Sequence, residues 1–501
     1  MIDLSMLSAV VAGLTAVILA WMLMTKVPGP MFLLPFIGES VSFFASPLQY
    51  ACSRFKKYGP IFRTSLFGYQ MYITSDAAAI KEVWSTGIFY VPGASFHMLL
   101  PHTSHLKGAK EHPFFRKTMS LSLGSASIET YFPKLLALIE EHVDQWGKAG
   151  VVPLTAACTA LAMDLGVDIV SGVRLQHEDR EEAKTLFLAL FKGLYGIPIN
   201  LPGTNLRAAL DAKKRLTVLL WKELEELSAT ATLKYAASQE AAARGVPEPE
   251  RELLPMMEAQ LQSVLPFRAL DQEVVVDRAI GNVIASGDTT RHMMFLSLVC
   301  LAKSARATEK VLQEQKQVVA DHGSNITFHS LSAMPYLDAC IREAIRLLPA
   351  TMGGFRKTVK AMTVKGVVVP AGSIVFWSTH LLHAMDPALL AADSGKHTNL
   401  TSVPLHMDWS DHFDEAYIPE RWLTESSRPK TFTTFGGGVH LCPGMQLAYS
   451  EVKILIATVM RRFEVALDVE KILSTCSFFP GPLPAPGTDG LICRPRSPCI
   501  Q

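Results

Sequence analysis

A cysteine at the end of a glycine-rich run is the residue in this chain best placed to do chemistry. The run reads Phe435-Gly436-Gly437-Gly438-Val439-His440-Leu441-Cys442-Pro443-Gly444. Three glycines in a row open backbone conformations closed to residues with a Cβ, and they let a flat, bulky group approach the chain closely. Pro443 is a residue favoured at the first position of a helix, and it leads into Met445-Gln446-Leu447-Ala448, so the spacing places Cys442 at a helix N-cap. Free amide N–H groups and the positive helix end favour a thiolate there, and a thiolate is a strong metal ligand and electron donor. The plainer alternative is a buried structural cysteine beside a glycine turn.

A second candidate lies in Ala285-Ser286-Gly287-Asp288-Thr289-Thr290, where a glycine, an acid and hydroxyls interrupt an apolar stretch. Val274 to Ile284 and Met293 to Leu301 are apolar on most sides, which predicts one long central helix from Asp271 to Ala305. An opened helix there would free a carbonyl and a hydroxyl to bind water and pass protons to a buried reaction centre, with Asp288 and Thr289 as acid and alcohol. The alternative is Thr289 bonding back to the Ala285 carbonyl and Asp288 paired elsewhere. His112 and Arg116, four residues apart, share a helix face and could hold an anionic group, or could simply be solvated. Four histidines, His97, His102, His105 and His112, invite a zinc reading. Their spacing fits no finger or zincin pattern, and no cysteine or paired carboxylate completes a set.

The elements that must position these residues are mostly helical. Apolar residues recur at helical spacing through Leu135 to Val143, Ala157 to Val170, Glu181 to Leu194 and a basic helix around Lys213 to Leu220. Alanine and charge rise from Ser228 to Pro255, as in a solvated helix and linker. Tyr336 to Leu348 carries one apolar stripe ended by Pro349, with Glu343 and Arg346 off that stripe. Solvated, that pair would be worth only about 0.3–0.5 kcal/mol; Arg421 could instead join it in a buried network behind the cysteine loop. Ile61 to Thr74 alternates around Gly68 as a hairpin, and Val367 to Trp377 reads as two strands around Pro370-Ala371-Gly372. Ala391 to Ser410 is a polar loop.

Among 501 residues, 47 basic side chains against 46 acidic give a net charge of +1, so no broad field draws in nucleic acid. The eight cysteines form no C-x-x-C pair and resemble reduced intracellular thiols. Leu4 to Met24 carries no charge and is long enough to cross a bilayer core of about 30 Å. Lys26, Arg54, Lys56 and Lys57 follow it, so the positive-inside rule places the remaining chain in the cytosol. A basic n-region is missing, which favours an uncleaved anchor over a signal peptide. Val27-Pro28-Gly29-Pro30 then forms a stiff spacer.

Taken together, the cysteine loop, Glu343-x-x-Arg346, Pro419-Glu420-Arg421-Trp422 and Ala285 to Thr290 make the chain resemble a membrane-bound cytochrome P450. The resemblance runs from the anchor to the last hairpin. It implies a mainly α fold: a large helical domain with a small β-rich subdomain, preceded by an N-terminal transmembrane helix. Residues 1–26 would be the anchor and 27–501 the catalytic domain. The signature F-x-x-G-x-[HR]-x-C-x-G maps onto Phe435, Gly438, His440, Cys442 and Gly444. Cys442 would be the axial thiolate of haem b (iron protoporphyrin IX), an arrangement that favours O–O cleavage. His112, Arg116, Arg356 and His440 match the cations that meet the haem propionates, and Phe435 and Gly444 complete the cofactor loop. Asp288 and Thr289 match the acid and alcohol that deliver protons, while Glu343, Arg346 and Arg421 match a structural charge triad. Two departures stand out: Ser286 occupies a position where the family usually has glycine, and the loop before Tyr417 is longer than usual.

Pro35-Phe36-Ile37-Gly38-Glu39, Phe62 to Gly68, Pro198 to Gly203 and Phe435 to Gly438 resemble the branch that oxidises sterols, triterpenoids, retinoids and related isoprenoids. The expected activity is insertion of one oxygen atom of dioxygen into a C–H bond of a lipophilic substrate. Electrons would come from an NADPH-dependent diflavin reductase, with cytochrome b5 as a further partner, at the endoplasmic reticulum membrane with the catalytic domain cytosolic. The rival readings are a haem-thiolate isomerase or dehydratase acting on oxygenated lipids, and a haem carrier or sensor without turnover. In both rivals the Asp288-Thr289 pair would be idle.

Overall fold

A computed structural model describes residues 27–30, 37–66, 68–90, 94–103, 111–196, 198–244, 256–393, 403–477 and 483–496. The expected hairpin forms from β1 (Ile61–Leu66) and β2 (Tyr69–Thr74), antiparallel with Ile61 opposite Thr74 and Leu66 opposite Tyr69. All six residues of β1 are buried, as its Ile, Phe and Leu content demands. Together with β3 (Ile88–Tyr90), β4 (Gly353–Lys357) and β5 (Ile374–Ser378) the hairpin makes a five-stranded sheet in the order β1-β2-β5-β4-β3. The β2–β5 pair is parallel and the others antiparallel. The stretch Val367 to Trp377 does contain two strands, but they do not pair with each other. Val367–Val369 pairs with Met362–Val364, and β5 crosses to β2 and β4.

Between the first sheet strands sits α1 (Ala77–Thr86), capped by the Asp76 carboxylate, which accepts from the Ala79 N–H at 2.8 Å. Next come α2 (His112–Ser122), α3 (Ser125–Ala149) and α4 (His177–Leu194). The basic helix is far longer than its sequence signal, running from Asn205 to Ala243 and absorbing most of the expected linker. A shorter helix, α5 (Met256–Val264), packs on α2 and leads into the central α6 (Gln272–Lys303). Asp271 caps α6 by accepting the Val274 N–H at 2.8 Å. The apolar flanks of α6 bury Met293, Met294, Leu298 and Leu301 against α7 (Pro335–Leu347) and α8 (Met445–Arg462). On α7, Leu337, Ile341 and Ile345 are fully buried, each worth about 1.5–3 kcal/mol over an exposed position.

Glu343 and Arg346 do not lie on a solvated face. Both are 0 % exposed, and Arg346 grips Glu343 through Nε at 2.8 Å and Nη2 at 2.9 Å. Arg421 Nη1 reaches Glu343 Oε1 at 2.5 Å, and Trp422 Nε1 donates to Oε2 at 2.9 Å. Arg346 also donates to the carbonyls of His406 and Ala416, so one buried network ties α7 to the segment ahead of the cysteine loop. Burial works to raise the Glu343 carboxyl, yet Arg346 and Arg421 hold it down at about 2.

The expectation of an N-terminal transmembrane helix is corrected. Among the described residues no helix is long and apolar enough to cross a membrane, and residues 1–26, on which the expectation and the membrane placement rest, lie outside them. The fold is mainly helical with a small β part.

Candidate active site around Cys442

The loop from Phe435 to Gly444 is closed by its own backbone. Cys442 N–H donates to the Phe435 carbonyl at 2.9 Å, Leu441 N–H to Gly438 at 3.1 Å and Gly436 N–H to Thr433 at 2.9 Å. Gly436 and Gly438 adopt φ of 71° and 65°, which favour glycine. A Cβ on Gly437 would lie 2.2 Å from the Trp84 ring, so α1 enforces glycine there. The Phe435 ring packs on Tyr449 of α8, with centroids 5.4 Å apart.

Cys442 does not sit at the N-cap. Helix α8 begins at Met445 with Gly444 as its cap, because Pro443-Gly444 makes a turn first. The amides of Gly444 and Met445 still point at the sulfur. Burial nevertheless pushes the thiol up, outweighing those two N–H groups and the Arg116 charge. A thiolate there would need, beyond those amides, a cation placed on the sulfur, where a coordinated thiol loses its proton outright.

Basic side chains gather beside the loop. Arg116 Nη1 donates to the Leu441 carbonyl, and the rings of His112 and His440 lie 3.9 Å apart. Burial first, then the charges of Arg116 and Arg356, lowers the His112 pKa. Arg356, 2 % exposed on β4, is brought by burial to about 10. Neither His112 nor Arg116 has a carboxylate partner among the described residues. A sulfur donor on one side, converging cations and a glycine loop free of side-chain bulk fit a flat metal macrocycle carrying carboxylates. Zinc finds no such support: among the described residues no group of three or more His, Cys, Asp or Glu could hold a metal, and His105 lies outside them.

The Ala285 to Thr290 segment remains continuous α-helix rather than an opened one. Ser286 Oγ bonds back to Asn282 O at 2.8 Å and Thr289 Oγ1 to Ala285 O at 2.8 Å, so the hydroxyls satisfy helix carbonyls without breaking the ladder. Ala285 is nonetheless exposed and Thr289 half-buried on a helix otherwise enclosed. Asp288 is buried and engaged by Arg291 and by Tyr195 at the end of α4, two partners that sequence reasoning missed. The Asp288-x-x-Arg291 spacing was the available signal.

A further missed residue is Glu451, inside the apolar stripe of α8. Burial lifts its carboxyl to about 8 although Thr290 of α6 donates a hydrogen bond to it. Its Oε1 has no hydrogen-bond partner among the described residues. Its signal was a lone acid among Leu447, Val452 and Leu455. Through this contact the helix that follows Cys442 is joined to the one that carries Asp288 and Thr289.

A family model described as Cytochrome P450 matches residues 27–389 and 409–483. The interval it omits, 390–408, contains most of the polar loop, within which Asp393 takes the His406 Nδ1 contact at 2.6 Å. The chain is 27 % identical to a taxoid 7-beta-hydroxylase of Taxus cuspidata over 86 % of this chain and 81 % of that one. It is 25 % identical to an abscisic acid 8'-hydroxylase 2 of Oryza sativa subsp. indica, covering 92 % and 85 %. In structure it is similar to the retinoic acid-bound cyanobacterial CYP120A1, with a TM-score of 0.72, 23 % identity and coverage of 92 % and 98 %.

Proposed function

The chain belongs to the cytochrome P450 family, a family of haem b monooxygenases, and from that premise we propose that it hydroxylates a C–H bond of a terpenoid-type substrate, with Cys442 as the residue that would hold the haem iron. Haem b, when bound, activates dioxygen with two electrons and two protons, so that one oxygen atom enters the C–H bond and the other leaves as water. The chain's own residues do the rest. Cys442 supplies a thiolate steadied by the Gly444 and Met445 amides. His112, Arg116, Arg356 and His440 offset the macrocycle's two carboxylates, which a low-dielectric site would otherwise penalise. Phe435 and Gly444 shape the loop against Tyr449 and α8.

Thr289 Oγ1, half-buried beside the exposed Ala285, holds the proton nearest the reacting face of α6, and Asp288 resupplies it once Arg291 loosens. Electrons come from an NADPH-dependent diflavin reductase, with cytochrome b5 as a second donor. The observation that carries this reading is the closed, glycine-built loop that holds Cys442 among four basic side chains. The substrate class rests on relatives named for taxoid and abscisic acid hydroxylation, and sterols, triterpenoids, carotenoids and retinoids belong in the same test. Reconstitution with reductase, NADPH and isotopically labelled dioxygen should place one labelled oxygen in a terpenoid product. Rearranged product with no label would sink the reading.

A further inference from the structure

Arg278 stands out among the buried cations because, among the described residues, it forms no ion pair and its Nε and Nη1 find no hydrogen-bond acceptor, although it is only 3 % exposed. Both atoms are fully enclosed. A guanidinium carries five donors and does not lose its charge, so an enclosed one without acceptors is costly unless an anion arrives. Asp277, its neighbour, is already occupied: Oδ1 lies 2.6 Å from Lys213 Nζ and Oδ2 accepts the His102 N–H at 3.1 Å. Arg268 stands close enough to lower the Arg278 pKa further, after burial itself; its Nη1 lies 3.2 Å from His102 Nδ1, while its buried Nε and Nη2 have no partner among the described residues. Glu111 is near enough to act on Arg278 but forms no ion pair with it.

The place of Arg278 on α6 gives this cation a direction. At 3.6 residues per turn, positions 278, 285 and 289 fall within about 20° of one line, so Arg278 leaves the helix on the face that carries Ala285 and Thr289. Between them Gly281 lies against Thr103, and the half-buried Asn282 accepts a hydrogen bond from Gln260 Nε2 at 2.9 Å, so these two contacts flank the line from Arg278 to Ala285. At 1.5 Å per residue Arg278 lies about 10 Å from Ala285 and about 16 Å from Thr289 along the axis. Such a span matches the length of an isoprenoid skeleton.

We propose that Arg278, with Arg268 beside it, binds the carboxylate of an acidic isoprenoid and so sets which carbon reaches the Ala285–Thr289 end; this rests on the monooxygenase reading above. Two guanidiniums against Glu111 leave one net positive charge, which suits a monoanion better than a phosphate dianion.

Calorimetric titration of the haem-loaded protein with abscisic acid and with retinoic acid, each against its methyl ester, tests this. At least one acid should bind ten times more tightly than its ester. Arg278→Gln should remove that preference while leaving ester affinity within about twofold. No acid preference in the parent protein, or a preference that survives Arg278→Gln, overturns the proposal. Tighter binding of an isoprenyl monophosphate than of the acids also overturns it. If circular dichroism shows Arg278→Gln unfolded, Arg268→Gln takes its place and must lower the acid-to-ester ratio at least threefold. Heat of binding is read without turnover, so acid preference in a protein that oxidises nothing would sink the monooxygenase reading alone.

Discussion

Arg291 grips Asp288 from one turn further along α6, with Nη2 at 2.6 Å and Nε at 2.9 Å from the same carboxylate oxygen, Oδ1. Tyr195 OH takes the other oxygen at 3.1 Å. The acid is thus paired and oriented in the resting protein, and proton transfer through it requires Arg291 to loosen. Asp288→Asn should lower turnover on the order of a hundredfold, because a general acid is removed. Tyr195→Phe deletes one hydrogen bond and leaves the ion pair, so its loss should stay below about tenfold. Single-turnover rates on both variants check the ranking, and equal losses would argue that Asp288 acts only as a structural anchor.

Thr289→Ala removes the hydroxyl that now rests on the Ala285 carbonyl without removing the helix around it. Product formed per NADPH should fall about tenfold, with peroxide rising in step. Unchanged coupling would take Thr289 out of the proton path.

The Glu343 network should shape stability in acid. Its carboxyl lies at about 2 in the fold, below the ordinary value of 4.5, so its contribution is complete above pH 4.5 and is lost as pH falls towards 2. Each pH unit in that window removes up to about 1.4 kcal/mol. Glu343→Gln should cost about 3–5 kcal/mol at pH 7 by leaving Arg346 buried and unpaired, and the penalty should shrink below pH 4.5. Urea unfolding at pH 7 and pH 3 reads the difference; a penalty that does not change with pH would contradict the pairing.

Glu451 should act with the opposite sign. Its carboxyl is lifted from 4.5 to about 8, so the fold favours the neutral acid, and stability is lost as pH rises between those values. Glu451→Gln should therefore gain on the parent protein as pH goes from 5 to 8, by up to a few kcal/mol on the same scale of about 1.4 kcal/mol per unit. Unfolding midpoints at the two pH values measure it, and a gain that is flat with pH would mean Glu451 is ionised throughout.

Local pattern and tertiary contact divide what was legible in the chain. The Asp271 cap and the apolar run after it announced α6 to within a residue or two, because capping and periodicity are local. The Glu343–Arg346 spacing was visible on α7, whereas its burial depends on Arg421 and Trp422, which arrive from a distant segment. The glycine run was legible, but its cause was not: Trp84 meets Gly437 from the other end of the chain. Cys442 was placed two positions too close to its helix, since Pro443-Gly444 serves a turn as readily as a first helical turn. The hydroxyls at 286 and 289 are compatible with an opened helix or with back-bonding, and the structure takes the second, with Ser286 on Asn282 and Thr289 on Ala285.

The central claim is that Cys442 is the thiolate ligand of a haem that carries out oxygen chemistry. The carbon monoxide difference spectrum of the reduced protein tests it most directly, beside Cys442→Ala. The parent protein should show the red-shifted thiolate band and the variant should lose it, with His112, Arg116, Arg356 and His440 unchanged. A parent protein without that band, or a variant that keeps it, would contradict the account.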